Sequence, residues 1–393
     1  MREQGEALTM RYLRILTAAV SAAACILGHA EAATPAKMVP YFEYDETFPQ
    51  VLPNHWILGT VVGIHADTKD GHVWIAHRPD TLRPDELEAE KNPPRAECCI
   101  RAPHVIEFDY SGKVIQAWGG PGEGYDWPTP GAPSPDPSGG AGPNGMHSVF
   151  VDNQDNVWLT ATGAGDGQIL KFTRNGKFLL QFGHKGRKGP DSNDTDNLGS
   201  ATGVKALNGE IFISDGYGNR RVVVLDQATG AYKRHWGGYG NKPDDSLKQP
   251  YDANKDNPQF STPHGIAVSD DGLVYVADRN NSRVQVFKTD GKFVAEQYIE
   301  RHTSSGSVFG VALSQRPEQK WIYIPDGRNE RIWILDRKTL EVLGNFGCPG
   351  HAAGCITTPH SIDTDAKGNI YVGETWEGKR VQRFLYKGVR AQQ

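Results

Sequence analysis

Residues 260–287 read FSTPHGIAVSDDGLVYVADRNNSRVQVF. Apolar positions alternate in PHGIAV, LVYVAD and RVQVF, with the polar turns SDDG and RNNS between them, so the stretch predicts short antiparallel strands. Two residues do not serve that pattern. His264 follows a proline at the start of the first strand, and Arg279 stands in the second turn.

The phrase recurs when the chain is laid against itself. Copies begin near Gly59 (GTVVGIHADTKDGHVWIAHR), Gly145 (GMHSVFVDNQDNVWLTAT) and Ser200 (SATGVKALNGEIFISDGYGNRRVVVLD). Three more begin near Ser261, Ser307 (SVFGVALSQRPEQKWIYIPDGRNERIWILD) and Thr358 (TPHSIDTDAKGNIYVGETWEGKRVQRF). Several units add a fourth strand ending in Trp-Gly or Phe-Gly, as in AYKRHWG and GKFLLQFG. Four short alternating strands in a unit of about 40 residues or more is the signature of a propeller blade. A length of 393 residues alone would suggest two or three domains. Six such units fill residues 59–393 and predict one all-β domain, a six-bladed β-propeller of four-stranded antiparallel blades. The preceding segment, residues 33–58, includes VPYFEYDETF, read as the strand that closes the ring against the last blade. Three Pro- and Gly-rich stretches, 83–103, 128–143 and 238–259, are too long for hairpin turns and read as insertions over one face.

Aligning the position of His264 through the six units gives Val62, His147, Thr202, His264, Phe309 and His360. Histidine occupies blades two, four and six. Alternate blades of a six-bladed ring lie about 120° apart around the channel, so the three imidazoles converge on the axis at one height. A histidine at a strand start is ordinarily a hydrogen-bonded rim residue; three in strict alternation make that reading hard to sustain. Three neutral imidazoles and one open position form a catalytic zinc site. The other histidines, including His55, His65, His72 and His104, lie off this column. The turn between the second and third strands opens on the same face as the column. It carries Arg78 in blade one, Tyr217 in blade three and Arg279 in blade four, and one extra residue in the blade-three turn lets Tyr217 reach inward. Asp278, Asn281 and Arg283 recur as Asp326, Asn329 and Arg331, which reads as a structural turn with ion pairs between blades.

Composition bounds the function. A formal net charge of −5 without any Lys/Arg-rich block leaves no electrostatic footprint for nucleic acid. From Met10, MRYLRILTAAVSAAACILGHAEAA combines Arg11 and Arg14, an apolar core and Ala30/Ala32 at A-x-A spacing, so residues 1–32 read as a secretory signal. A lipid anchor at Cys25 is disfavoured by Ala22, where a bulkier aliphatic is expected. The chain is therefore expected to be secreted or periplasmic, with no membrane span after cleavage. Export permits disulfides among Cys98, Cys99, Cys348 and Cys355, for which three pairings exist; CPGHAAGC can close as a local loop.

With these motifs in place the chain resembles the NHL-repeat propellers, and among them the peptidyl-α-hydroxyglycine α-amidating lyases. The resemblance covers all six blades and rests on HR at Arg78, GMHS at His147, SDGYGNRR at Tyr217, PHGIAV and VADRNNSR at His264 and Arg279, and PHSI at His360. It implies that His147, His264 and His360 hold zinc, that Tyr217 is the general base with Arg78 as its charge partner, and that Arg279 contacts a substrate carboxylate. It also implies a small-molecule or peptide substrate with an α-hydroxyglycine-like end, cleaved at its C–N bond to an amide and glyoxylate. The family holds a structural Ca2+ with an aspartate where this chain has Ser361, and it has a cysteine where this chain has Gly218. Two other functions compete: a metal-dependent ester or lactone hydrolase, which wants a carboxylate base near the metal, and a non-enzymatic propeller that presents its face to proteins.

Overall fold

A computed structural model describes residues 37–391 except 133–143, 188, 190, 248–250, 316 and 317. The expected signal segment and residues 133–143 of the 128–143 insertion lie outside the described residues. Residues 38–391 form six four-stranded antiparallel sheets and one short parallel pair, with no α-helix among the described residues.

Each of the first five sheets runs in sequence order from the channel outward. Blade one is Thr60–Ala66, Val73–Arg78, Val105–Phe108 and Val114–Trp118; blade two is Met146–Val151, Asn156–Ala161, Ile169–Thr173 and Phe178–Phe182. Blade three is Ala201–Leu207, Glu210–Asp215, Arg221–Asp226 and Tyr232–Trp236, and blade four is Pro263–Val268, Leu273–Asp278, Arg283–Lys288 and Phe293–Tyr298. Blade five keeps only Ala312–Leu313 as its innermost strand, before Trp321–Asp326, Arg331–Asp336 and Val342–Phe346. Blade six runs Pro359–Thr364, Ile370–Glu374 and Arg380–Ala391, and its outer strand is Met38–Tyr44 from the other end of the chain. That strand pairs antiparallel from Met38 opposite Ala391 to Tyr44 opposite Phe384. The ring thus has no open edge at its seam.

Both faces of each blade's inner strands are apolar because each blade is covered by two neighbours. The core is therefore six layers, one at each blade junction. Ile213 and Val223 of blade three pack on Trp158 and Ile169 of blade two, while Phe212 and Val224, pointing the other way, pack on Val274 and Val276 of blade four. Tyr371 and Val381 of blade six meet Ile75 and Phe108 of blade one, so the same packing crosses the seam.

The turn arginines pair differently from expectation. Arg283 Nε donates to Asp278 Oδ2 at 2.9 Å and Arg221 Nε to Asp215 Oδ2 at 2.9 Å, both within one blade. Antiparallel register places each pair of residues directly opposite on adjacent strands. In blade five Asp326 instead accepts from Asn329 and from Trp333 Nε1, and Arg331 turns to the Asn329 carbonyl.

Across the channel, Lys205 of blade three donates to Asp363 of blade six at 3.0 Å, and His65 of blade one lies 3.2 Å from the same oxygen. Burial raises the Asp363 carboxyl, but the Lys205 ammonium and His65 outweigh it and hold the group well below the usual carboxylate range. This bridge ties opposite sides of the ring. Lys205→Met is expected to cost about 2–3 kcal/mol in urea unfolding, the worth of a charged, partly buried hydrogen bond.

The two cysteine pairs at bonding distance are Cys98–Cys99 and Cys348–Cys355. The first joins adjacent residues, and the second closes the CPGHAAGC loop.

Candidate metal and catalytic site

In every blade with a regular innermost strand the column residue sits at a break in register. The ladder skips between Val61 and Gly63, Met146 and Ser148, Ala201 and Gly203, Pro263 and Gly265, and Pro359 and Ser361. Val62, His147, Thr202, His264 and His360 are thus the extra, unpaired residues of β-bulges, which re-aim a side chain out of the pleat. The next residue is small in all six blades: Gly63, Ser148, Gly203, Gly265, Gly310 and Ser361. The reason is proximity at the axis, since a Cβ added at Gly265 would lie 2.8 Å from the Gly310 Cα.

The bulges bring the three histidines together. Each pair of imidazole centroids is 4.7 Å apart, and all three rings are buried. His147 Nδ1 lies 2.6 Å from the Thr202 carbonyl, His264 Nδ1 2.5 Å from that of Phe309, and His360 Nδ1 3.1 Å from that of Val62. A carbonyl only accepts, so each Nδ1 carries the proton and each Nε2 keeps its lone pair. The acceptors are the column residues of the neighbouring blades: histidines in blades two, four and six are oriented by backbone in blades three, five and one. That is the outer-shell arrangement that fixes tautomer in metal-binding histidines. The ligating nitrogens lie within 4.8 Å of one another, and the buried His147 Nε2 has no hydrogen-bond partner. An unpaired buried lone pair is costly, and three converging neutral imidazole donors suit zinc. The residues fit that ion.

Burial, reinforced by nearby Arg78 and Arg279, lowers His360 to about 3. Burial likewise drives His147 and His264 well below the ordinary imidazole value, the first helped by His360 and the second by Arg279. All three are therefore neutral in the folded protein through the mildly acidic range. Zinc affinity is expected to stay nearly flat from pH 7.5 to pH 5.5, where three ordinary imidazoles near 6.5 would lose about a thousandfold. Between pH 6.5 and 3 the unfolded chain binds more protons than the folded one, so the apo protein loses stability on acidification through that window. Zinc titrations at the two pH values and urea midpoints of the apo protein read both effects.

Calcium does not fit as well. It requires several oxygen donors, and the six innermost strands carry one carboxylate, Asp363, already held by Lys205 and His65. Ser361 Oγ is buried without a partner, but a lone hydroxyl is no calcium cage.

Above the histidines, Tyr217 OH is 3.1 Å from His264 Nε2 and 3.0 Å from Arg279 Nη1. Because His264 Nε2 bears no proton, the phenol donates to it and accepts from the guanidinium. Arg279 also lies over the Phe309 ring, 4.9 Å from its centroid. Arg78 is more deeply buried, donating to the Met146 carbonyl at 2.8 Å and to Thr162 Oγ1 at 3.1 Å. Burial lowers its guanidinium to about 10, with Tyr217 opposing the shift. The direct partner of the phenol is thus Arg279, and Arg78 acts on it from a distance. Both line a cavity of about 240 Å3 with Tyr217, Phe309, His360 and Trp376. Phe309 and Trp376 carry no sequence signal beyond their alignment positions, and the reading of residues in isolation passed over them.

The NHL repeat family model matches residues 260–287. The chain, a six-bladed propeller with one matched NHL repeat, resembles the amidating lyases. It is 31% identical over 238 residues to the Caenorhabditis elegans probable peptidyl-alpha-hydroxyglycine alpha-amidating lyase, covering 58% of this chain and 60% of that protein. It is 27% identical over 266 residues to the rat peptidylglycine alpha-amidating monooxygenase, covering 62% of this chain but 24% of that protein. The chain therefore spans about a quarter of the rat relative. Human NHL repeat-containing protein 3 is 23% identical over 350 residues, 85% of this chain and 82% of that protein.

Proposed function

We propose that this propeller is an exported zinc-dependent carbon–nitrogen lyase that cleaves an α-hydroxyglycine-type carbinolamide to an amide and glyoxylate. The observation that carries the reading is the contact set of Tyr217, whose hydroxyl touches both a metal-competent imidazole, His264, and a guanidinium, Arg279. Zinc held by His147, His264 and His360 would supply a Lewis acid toward a hydroxyl oxygen and a positive charge beside the phenol.

The chain's own groups account for the remaining chemistry. Collapse of a carbinolamide needs the hydroxyl proton removed as the C=O bond forms and the C–N bond breaks. Tyr217, as phenolate, is placed to take that proton, and Arg279 and Arg78 stabilise its negative charge. The leaving amide nitrogen needs one proton, which the tyrosine returns, so the step is balanced without an added reductant or oxidant. The substrate carboxylate is drawn to the cationic wall that the two arginines form. No carboxylate lines the cavity among the described residues, which disfavours an ester or lactone hydrolase using an acidic general base. Glyoxylate released on incubation with an N-acyl-α-hydroxyglycine, one equivalent per amide formed, tests the proposal; an ester or lactone turned over in its place would sink it.

A further inference from the structure

Trp376 belongs to none of the six apolar layers between blades. It stands at the tip of the blade-six turn with φ of 50°, a left-handed conformation that a bulky residue seldom adopts. Strain of this kind persists where the surroundings enforce it, and it clusters at ligand sites. The surroundings here are specific. The Arg328 guanidinium lies 4.7 Å from the Trp376 ring centroid, and the neighbouring Thr375 amide is held by the Thr358 carbonyl at 3.1 Å. The ring is only partly buried and lines the same cavity as Tyr217, His360 and Phe309.

Phe309 lines the same cavity. It is 2% exposed, and its ring closes on Gly327, where an added Cβ would come within 2.6 Å. Phe309 is the column residue of blade five, so its ring sits beside the histidines, 5.8 Å from His264 and 6.3 Å from His360 between centroids. The cavity thus has two chemically distinct walls. Arg78, Arg279 and Tyr217 make one that is cationic and reactive; Trp376 makes the other, aromatic one, with the Phe309 ring, capped by Arg279, beside the histidines. Arg279 and Arg328 have no carboxylate partner among the described residues, so the site as a whole favours an anion with an apolar body.

We infer that Trp376, together with Phe309, is a specificity-determining surface that receives an aromatic or branched apolar acyl group on the amide side of the scissile bond. This rests on the lyase reading for its substrate. With a carboxylate placed at the arginines and the reacting carbon at Tyr217 and the histidines, the acyl group faces the remaining, aromatic wall. A cavity of about 240 Å3 is smaller than the roughly 300 Å3 at which drug-sized pockets begin. The cavity therefore has room for the reacting end and about one residue-sized acyl group.

The test compares N-benzoyl- and N-acetyl-α-hydroxyglycine as substrates, and benzoylglycine and acetylglycine as unreactive ligands in calorimetry, for the wild type, Trp376→Ala and Trp376→Phe. The wild type is expected to favour the benzoyl substrate at least tenfold in kcat/KM. Trp376→Ala should shrink that preference to threefold or less, mainly through KM of the benzoyl compound, and Trp376→Phe should keep most of it. Equal use of both acyl groups by the wild type, or a preference that survives in Trp376→Ala, would overturn the inference. If benzoylglycine binds tighter than acetylglycine and Trp376→Ala removes the difference, while neither hydroxyglycine yields glyoxylate, the aromatic subsite stands and the lyase reading fails. If neither acylglycine binds and neither substrate reacts, both fall.

Discussion

Tyr217→Phe is expected to lower kcat for glyoxylate release by about 10²–10⁴-fold, the usual worth of a positioned general base, while leaving zinc content and the unfolding midpoint close to wild type. The substitution removes one oxygen, whose contacts are His264 Nε2 at 3.1 Å and Arg279 Nη1 at 3.0 Å. Neither contact supports the blade: the turn is held by backbone, with the Tyr217 amide on the Ser200 carbonyl and the Gly218 amide on that of Gly199. The phenylalanine ring can keep the edge contacts that Tyr217 makes with His147 and His264. An effect confined to kcat at unchanged metal content is thus the signature of lost proton transfer. A fall in zinc content of the same size would instead mark Tyr217 as a support for His264. Activity retained within tenfold would remove the tyrosine from the mechanism.

The architecture was legible because it is written redundantly. The six-fold recurrence of alternating strands and turn residues gave the blade count, with a terminal Trp-Gly or Phe-Gly in four of the units, and the spacing of His147, His264 and His360 placed three donors in alternate sectors. What linear alignment could not convey was why those side chains leave the pleat. The bulge at five of the six column positions is a register event between two strands, visible only when partners are known, although the small residue after each column position is its trace in the sequence. Distances around the ring were equally hidden. Lys205 and Asp363 are far apart in sequence and belong to blades on opposite sides of the channel, so only closure of the ring brings their charges together. The assignment of Arg78 as partner of Tyr217 came from resemblance. The geometry gives direct contact to Arg279, because the blade-three and blade-four turns are adjacent and the longer blade-three turn leans Tyr217 toward its neighbour. Trp376 escaped notice since a lone aromatic in a turn has no period to betray it.

Removing the metal is expected to have the largest effect of all. Zinc extraction by chelation, or replacement of His147, His264 and His360 together by alanine, should drop activity below detection, and added zinc should restore the chelated protein but not the variant. The consequence for stability follows from the same nitrogens. In the metal-free fold three neutral imidazoles face one another in a buried channel, and His147 Nε2 has no partner; an unpaired buried acceptor costs about 1–3 kcal/mol. An ion bound only by the folded state relieves that cost and stabilises by RT ln(1 + [Zn]/Kd), about 4 kcal/mol at a thousandfold excess over Kd. The wild-type unfolding midpoint should therefore climb with free zinc. The triple variant, which has neither the donors nor the orphaned lone pair, should unfold at a midpoint that zinc does not move. Wild-type protein that carries no zinc after purification, and whose midpoint also ignores the added ion, would show that the three histidines are a packed core motif; the lyase proposal would not survive that result.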